Sequence, residues 1–262
     1  MSPRFTGKVV AVTGGASGIG EAMCQLVVAE GGAVVVIDRQ TDRGNQLADR
    51  LGDQASFVAA DVSSDADMAA AVGHAVERFG RLDVMCNNAG VVGVDKSIVD
   101  LTVEDYEQTL AVLLLGVLLG TKHAARVMLA QGSGGAIVNT SSIAGVQGGL
   151  GPHLYTTAKH AVIGLTRSTA SELVTHQIRV NAVAPGGVPT PMAAAMVTGD
   201  PDRVDDLAQA IAKRSPLGRS STTDDIAEAI AYFASDASGY VTGQTLVVDA
   251  GGVIAPPRTP LV

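Results

Sequence analysis

The chain of 262 residues is poor in cysteine, in aromatic side chains and in charge. Its two cysteines, Cys24 and Cys86, are too few for a disulfide framework and lack the spacing of a zinc site, which fits a reducing cytoplasm. Tryptophan is absent and tyrosine occurs only 4 times. Charged residues make up 17% of the chain, and the net charge of −8 argues against a nucleic-acid surface, which needs clustered basic residues.

Long apolar segments and metal-binding patterns are also missing. The most apolar run, Leu110–Gly120, is too short to span a bilayer and predicts a buried helix, because it is apolar on nearly all sides. The N-terminus shows no charged region followed by an apolar leader and a cleavage site. The five histidines have no metal-ligand spacing, so no metal site is expected. We expect a cytoplasmic protein with no membrane or nucleic-acid partner.

What the chain does contain is an alternation of apolar strands with helical segments. The alternation predicts one α/β domain over residues 1–262, a single doubly wound parallel sheet of about seven strands with helices on both faces. The C-terminal "APPRTPLV" is Pro-rich and is not expected to form regular structure. The predicted strands are Lys8–Thr13, Ala33–Asp38, Ala55–Val62, Leu82–Gly90, Gly135–Ser142, Ile178–Gly186 and Gln244–Gly252. The longer predicted helices are Ala66–Phe79, Val103–Leu129, Tyr155–Val174, Val204–Lys213 and Thr223–Ala234.

The first strand is followed by a glycine-rich turn, "TGGASGIG", from Thr13 to Gly20. A strand precedes the turn and a helix follows it, so the amide-rich helix N-terminus would face an anion at the carboxyl edge of the sheet. A plain strand-to-helix turn is the alternative. The pattern predicts a dinucleotide diphosphate site. Its candidate residues are Gly14, Ser17, Gly18, Ile19 and Gly20.

An acid, Asp38, ends the second strand eighteen residues after Gly20. Its carboxylate can accept hydrogen bonds from the adenosine-ribose hydroxyls and would repel a 2′-phosphate, which favours NAD over NADP. The adjacent Arg39 is the counter-argument, since a guanidinium there could hold that phosphate. A role for Asp38 as a helix cap is the other alternative.

The stretch "YTTAK" places Tyr155 and Lys159 on one face of a predicted helix, four residues apart. A phenol is normally protonated at neutral pH, and a nearby ammonium lowers its pKa by favouring the phenolate. A tyrosine tuned in this way could take a proton from an alcohol. On its own, the pair could equally be an ordinary helix-surface pair.

These motifs together resemble the short-chain dehydrogenase/reductase family over nearly the whole chain. The matching stretches stand in the family's order. They are "TGGASGIG", Asp38, "DV" at Asp61–Val62, "NNAG" at Asn87–Gly90, "NTSS" at Asn139–Ser142, "YTTAK", and "NAVAPGGVPTPM" at Asn181–Met192. The segment from Gly148 to Ser168 is most similar to members that oxidise cyclic secondary alcohols. The resemblance implies a Rossmann-type fold, a nicotinamide cofactor and a homotetramer.

The resemblance also implies the roles of single residues. Ser142, Tyr155 and Lys159 would be catalytic, with Lys159 also binding the nicotinamide ribose. Strand alternation points the neighbouring Ser141 to the opposite side, which favours Ser142 as the serine that bonds the substrate oxygen. His153 is a further candidate for substrate contact. The remaining expected cofactor contacts are Asp61, Val62, Asn88, Ala89, Gly90, Pro185, Gly186, Val188 and Thr190.

One position departs from the family pattern. Many members carry an asparagine in a V-N-x-x-G stretch of the fourth helix, where its carbonyl holds a water that relays protons from the lysine. Here the stretch is "VLLLG", and Leu113 takes the place of the asparagine. Either the helix keeps its bend and the water, or the relay is lost and turnover is slow.

The loops expected around the substrate are rich in small apolar residues. The segment before the predicted helix at Val204 is expected to be a Pro/Thr/Ala-rich loop, and residues 191–216 predict a mobile lid. The sequence therefore predicts an NAD-dependent dehydrogenase/reductase of an apolar, cyclic secondary alcohol or ketone. The alternative is an NAD-binding regulatory or scaffold protein with little turnover, because of Leu113.

Overall fold

The computed structural model describes residues 3–254. The predicted Pro-rich stretch Ala255–Val262 lies outside the described residues. Seven parallel strands form one sheet in the order β3-β2-β1-β4-β5-β6-β7. The strands are β1 (Val9–Thr13), β2 (Ala33–Asp38), β3 (Ala55–Ala59), β4 (Val84–Asn87), β5 (Gly135–Thr140), β6 (Ile178–Pro185) and β7 (Thr245–Val248).

Nine α-helices connect and cover these strands within the described residues. They are α1 (Gly18–Ala29), α2 (Thr41–Leu51), α3 (Asp65–Phe79), α4 (Val103–Leu110), α5 (Gly116–Gln131), α6 (His153–Leu173), α7 (Pro191–Thr198), α8 (Val204–Arg214) and α9 (Thr223–Ala234). The predicted doubly wound α/β fold is confirmed. The chain order reverses between β1 and β4, where such sheets bind ligands at the strands' carboxyl ends.

The central strands have the composition of doubly covered strands. Every residue of β1, β2 and β4 is buried, and the side chains divide between two apolar clusters on the two faces of the sheet. The edge strands β3 and β7 are only partly buried in the single chain. An edge strand has a neighbour on one side only.

The apolar run Leu110–Gly120 lies in one continuous helical segment, Val103–Gln131, formed by α4, a π-helical turn at Ala111–Leu115, and α5. This segment is the one helix among the described residues that is long and apolar enough to cross a membrane, yet half of its most apolar window is buried inside the fold. The prediction of a buried helix is confirmed for Leu113, Val117 and Leu119, but in the single chain Leu115 and Leu118 are each 41% exposed.

Residues 191–198 form a helix, α7, where the sequence predicted a Pro/Thr/Ala-rich loop. Thr190 caps this helix by accepting a hydrogen bond from the Ala193 amide, Pro191 occupies the first turn, and Gly199 ends the helix in the left-handed conformation. Pro191 is compatible with the first turn because those amides have no partner within the helix. The expected lid region, 191–216, therefore consists of α7 and α8, which pack against each other.

Candidate active site

The glycine-rich turn between β1 and α1 has the close contacts of a phosphate cradle. Gly14 and Gly18 have positive φ angles of 64° and 57°. A Cβ atom at Gly20 would lie 2.0 Å from the Gly14 carbonyl oxygen, and one at Gly14 would lie 2.8 Å from the Ala89 Cα. These positions therefore require glycine, and the backbone of the turn is open to a ligand.

The N-terminus of α1 has the donors that a diphosphate needs. Ser17 stands at the N-cap but makes no side-chain hydrogen bond to the helix. By contrast, Ser64, Thr102 and Thr222 cap their helices through their hydroxyl groups. The first-turn amides of α1, which include Ile19, thus have no capping side chain, so this end of the helix fits an anionic group.

Asp38 lies at the end of β2 and is 7% exposed. Its Oδ2 accepts a hydrogen bond from the Ala16 amide at 3.1 Å, and its Oδ1 accepts one from the Gln40 amide at 2.9 Å. A carboxylate offers about four acceptor positions, so it can still receive ribose hydroxyl groups. Asp38 therefore holds the glycine-rich turn through the Ala16 amide and lies with it at the carboxyl edge of the sheet.

The "NNAG" stretch ties the end of β4 to the end of β1 at the carboxyl edge of the sheet. Thr13 Oγ1 accepts from the Asn88 amide at 2.9 Å and from the Ala89 amide at 3.1 Å, while Asn88 Nδ2 donates to the Thr13 carbonyl at 3.1 Å. Gly90 lies beside α6, since a Cβ there would be 4.0 Å from Lys159 Nζ. These residues form a wall between the glycine turn and Lys159.

Asp61 and Val62 follow β3 rather than end it. Asp61 is exposed, and hydrogen bonds from Ser63, together with the charge of Arg39, hold its pKa below the usual range. Val62 is buried, and a Cβ at Gly116 would lie 2.8 Å from its Cγ2.

The loop after β6 returns to the glycine turn. Pro185 ends the strand, and the Gly186 amide donates to the Val248 carbonyl at 2.9 Å. Val188 is buried, and Thr190 Cγ2 would lie 3.3 Å from a Cβ at Gly18. The predicted nicotinamide end therefore lies next to the predicted diphosphate cradle.

The three predicted catalytic residues meet where β5 faces α6. Ser142 follows β5 and caps a short 3-10 turn by accepting from the Ala144 amide at 3.1 Å. Tyr155 interacts with the Ser142 hydroxyl, and Lys159 Nζ lies 5.6 Å from the centre of the Tyr155 ring. The structure thus brings the three residues together. Tyr155 and Lys159 lie one turn apart on α6, and Ser142 lies opposite them after the end of β5.

The pKa values of this group differ from the expectation for Tyr155. Burial raises the pKa of the Tyr155 phenol above 10.0, although its hydrogen-bonding interaction with Ser142 acts in the opposite direction. Burial also lowers the pKa of the Lys159 ammonium to about 8. The prediction of a lowered tyrosine pKa is therefore wrong for the chain alone, since burial opposes the charged form of both groups.

Leu113 lies inside the π-helical turn and is fully buried. Its Cδ2 would lie 3.4 Å from a Cβ at Gly90, the same point that lies 4.0 Å from Lys159 Nζ. In this turn the Gly116 amide donates to the Ala111 carbonyl, five residues back. The irregular turn is therefore present without an asparagine side chain, and a leucine fills the space near the lysine.

Sequence reasoning missed several residues that hold the catalytic helix. Lys159 Nζ donates to the Thr140 carbonyl at 2.8 Å, and Ser141 Oγ donates to the Lys159 carbonyl at 2.9 Å. A Cβ at Gly151 would lie 3.1 Å from Tyr155 Cδ1. The glycines of the Ile143–His153 segment were the available signal, but a pattern does not show which neighbour requires a glycine. His153 is exposed at the start of α6.

An open cleft of about 610 Å³ lies at the opposite, amino-terminal edge of the sheet. Its cations are paired within the chain: Arg81 with Asp83, and Lys8 with Asp236. Arg179 donates to carbonyl groups at the end of α9, including that of Phe233 at 2.9 Å. The cleft is therefore remote from the catalytic group. Among residues 3–254, no three His, Cys, Asp or Glu side chains are grouped to hold a metal.

Comparison with known proteins agrees with this arrangement. The family described as "Enoyl-(Acyl carrier protein) reductase" matches residues 14–252. Momilactone A synthase of Oryza sativa subsp. japonica is 47% identical over 250 residues, which cover 95% of this chain and 90% of the relative. (+)-Borneol dehydrogenase 2 of Salvia officinalis is 41% identical over 255 residues, 95% of this chain and 90% of that protein.

A solved structure shares the whole fold. Levodione reductase superposes with a TM-score of 0.89 at 34% identity, covering 97% of this chain and 100% of that one. A family match over most of the chain, relatives above 40% identity and the Ser142–Tyr155–Lys159 group lead to the same conclusion. The chain belongs to the short-chain dehydrogenase/reductase family and is an oxidoreductase of that family.

Proposed function

We propose that the chain is an NAD(H)-dependent dehydrogenase/reductase that interconverts an apolar, cyclic secondary alcohol and its ketone. The observation that carries this proposal is the Ser142–Tyr155–Lys159 group at the carboxyl edge of the sheet. The fold family uses nicotinamide cofactors, which supply hydride acceptance and donation when bound. The uncapped N-terminus of α1 and its glycine turn fit the diphosphate of such a cofactor.

In this proposal each catalytic residue acts on the substrate oxygen or on its proton. The Ser142 hydroxyl donates to the oxygen and stabilises the negative charge that develops there. The Tyr155 hydroxyl exchanges a proton with the same oxygen, as a base in oxidation and as an acid in reduction. Lys159 provides a positive charge near the phenol and a donor for ribose hydroxyl groups.

The preference for NAD rests on Asp38. Its buried carboxylate is held in place by the Ala16 and Gln40 amides and would lie close to a 2′-phosphate. Arg39 is exposed and contributes to the field around Asp61. The buried Asp38 supports the unphosphorylated cofactor, whereas the exposed Arg39 stays the argument for NADP.

The substrate class rests on the apolar segments beside the catalytic group. Exposed apolar side chains on α7 and in the loop between Ser142 and Tyr155 would face an apolar ring system. They are Val146, Leu150, Met192, Met196 and Val197. Relatives named for borneol and levodione support a cyclic alcohol or ketone.

We also propose that the protein is a cytoplasmic homotetramer. The segment leading into α4 and the outward side of α4 and α5 carries apolar side chains that one chain leaves exposed. They are Ile98, Val99, Val103, Tyr106, Leu115 and Leu118. Covering them with another copy would remove apolar surface from water, as in the homotetramer that the resemblance implies. Sedimentation of the purified protein tests this.

The alternative, a nucleotide-binding regulator or scaffold with little turnover, depended on Leu113. The π-helical turn and the intact catalytic group give no support to a loss of turnover. A panel of cyclic alcohols and ketones, assayed with NAD and with NADP by the absorbance of the reduced cofactor, tests the proposal. We expect alcohol-dependent reduction of NAD, absent in Tyr155→Phe. Tight cofactor binding without hydride transfer would favour the regulator instead, and a preference for NADP would contradict the role of Asp38.

A further inference from the structure

Ser141 is buried between the catalytic serine and the catalytic helix. It is 2% exposed and follows β5, where its amide donates to the Val183 carbonyl of β6 at 2.7 Å. Its hydroxyl donates to the Lys159 carbonyl at 2.9 Å. Its side chain thus contacts α6, the helix that also carries Tyr155.

Thr140 and Ser141, at the end of β5, make hydrogen bonds to the side chain and to the main chain of Lys159. The Thr140 carbonyl accepts from Lys159 Nζ at 2.8 Å, and the next residue, Ser141, donates to the Lys159 main chain. The ammonium and the backbone of Lys159 are thus both fixed relative to the end of β5. Ser142, the following residue, is fixed by the same strand.

Gly145 permits this contact. A Cβ atom at residue 145 would lie 2.3 Å from Ser141 Oγ and 2.6 Å from the Lys159 carbonyl oxygen. The Ser141 hydroxyl is buried, and the Lys159 carbonyl belongs to the helix backbone, so neither atom can move away at a low energetic cost. The glycine therefore lets the 3-10 turn at Ile143–Gly145 lie directly against the helix backbone.

A second buried bond holds the same helix farther along. Asn139 Nδ2 donates to Thr166 Oγ1 at 2.9 Å, and both side chains are fully buried. Thr166 lies two turns beyond Lys159 on α6. It provides a matched control, since its bond joins the same strand to the same helix away from the catalytic residues.

We infer that Ser141, together with Gly145, is a positioning residue that sets the register of α6 on β5, so that the Tyr155 hydroxyl meets the Ser142 hydroxyl. Ser141 does not touch the substrate; it acts through the backbone of Lys159. The inference rests on the proposed function, because the geometry that it sets is the geometry of hydride and proton transfer. Small displacements of a reacting group have large effects on rate.

The test compares Ser141→Ala with Thr166→Val at a temperature well below both unfolding transitions. With a cyclic alcohol that the wild-type protein oxidises, Ser141→Ala should lower kcat roughly tenfold to a hundredfold with little change in KM for the cofactor. Thr166→Val should retain a kcat close to that of the wild type. Gly145→Ala should reproduce the loss. An unchanged kcat in Ser141→Ala, or an equal loss in Thr166→Val, would overturn the inference.

A second measurement needs no turnover. The ultraviolet titration of Tyr155, obtained by subtracting the curve of Tyr155→Phe, should shift upward in Ser141→Ala, because the interaction with Ser142 that lowers its pKa is weakened. It should not shift in Thr166→Val. If Ser141→Ala does not fold, Ser141→Cys, a weaker donor at the same place, replaces it. An unmoved titration contradicts the inference, whereas a wild-type chain without hydride transfer contradicts only the proposed function.

Discussion

Replacing Lys159 by methionine should abolish hydride transfer and stabilise the folded chain at neutral pH. Lys159 is 4% exposed, and burial lowers the pKa of its ammonium from 10.5 to about 8. This difference corresponds to a cost of about 3 kcal/mol for keeping the buried lysine charged. Loss of the donor to the Thr140 carbonyl offsets about 1 kcal/mol of that. We therefore expect a net gain of about 2 kcal/mol in Lys159→Met at pH 7.

The pH dependence of this gain follows from the sign of the pKa change. Between about pH 8 and pH 10.5 the unfolded chain binds more protons at this lysine than the folded chain does, so the wild type becomes more stable as pH rises. Below about pH 8 both states are protonated and the full cost is present. The advantage of the methionine variant should shrink by about 2 kcal/mol between about pH 7 and about pH 9.5.

Urea unfolding at one protomer concentration, with both proteins at both pH values, measures this difference. Other buried groups that ionise in alkali are common to the two proteins, so their contributions cancel in the difference. They include Cys24 and Cys86, whose pKa values burial raises. A stability difference that stays constant with pH would refute the reasoning, because the lysine would then have the same pKa in both states.

The remaining predictions concern the cofactor site and the helix beside Lys159. Gly20→Ala should weaken NADH binding more than tenfold in a fluorescence titration, since its Cβ would lie 2.0 Å from the Gly14 carbonyl oxygen, whereas Gly73→Ala, which meets nothing within 4 Å, should bind normally. Asp38→Ala should raise kcat/KM for NADP relative to NAD, and an unchanged ratio would mean that Asp38 does not determine the cofactor preference. Leu113→Asn should place a polar group near Lys159, raise its pKa and shift the pH profile of kcat; an unchanged rate across pH would mean that this side chain is irrelevant.

The sequence predicted the fold well because its signals are local. β-branched runs and glycine turns predicted all seven strands, and helical periods predicted helices between them. The predicted strand ends differ from those of the structure by a few residues. The helix α7 was missed because Pro191 and its alanines were read as a loop, although Thr190, Pro191 and Gly199 carry the signals of a cap, a first turn and an end. A proline can interrupt a helix at one position and begin a helix at another, and composition alone does not distinguish the two cases.

The sequence predicted the residues of the candidate site but not the residues that hold them in place. Ser142, Tyr155 and Lys159 follow from motif order, and the structure brings them together. The contact from Ser141 to the Lys159 carbonyl, and the glycine that permits it, depend on how closely α6 approaches β5. That distance is a tertiary property and no spacing along the chain encodes it.

The same burial explains why the predicted pKa of Tyr155 had the wrong direction. Sequence spacing placed a cation near the phenol, but packing that excludes water raises the pKa of the phenol and lowers that of the lysine, so the pKa of the lysine falls below that of the phenol. In the chain alone the phenol holds its proton while Lys159 is the first of the two to lose one. The chain by itself therefore does not prepare Tyr155 as a base. Under the proposed function, a further positive charge would have to arrive beside the phenol before it could accept a proton from an alcohol at neutral pH, which would tie the proton step to an occupied cofactor site.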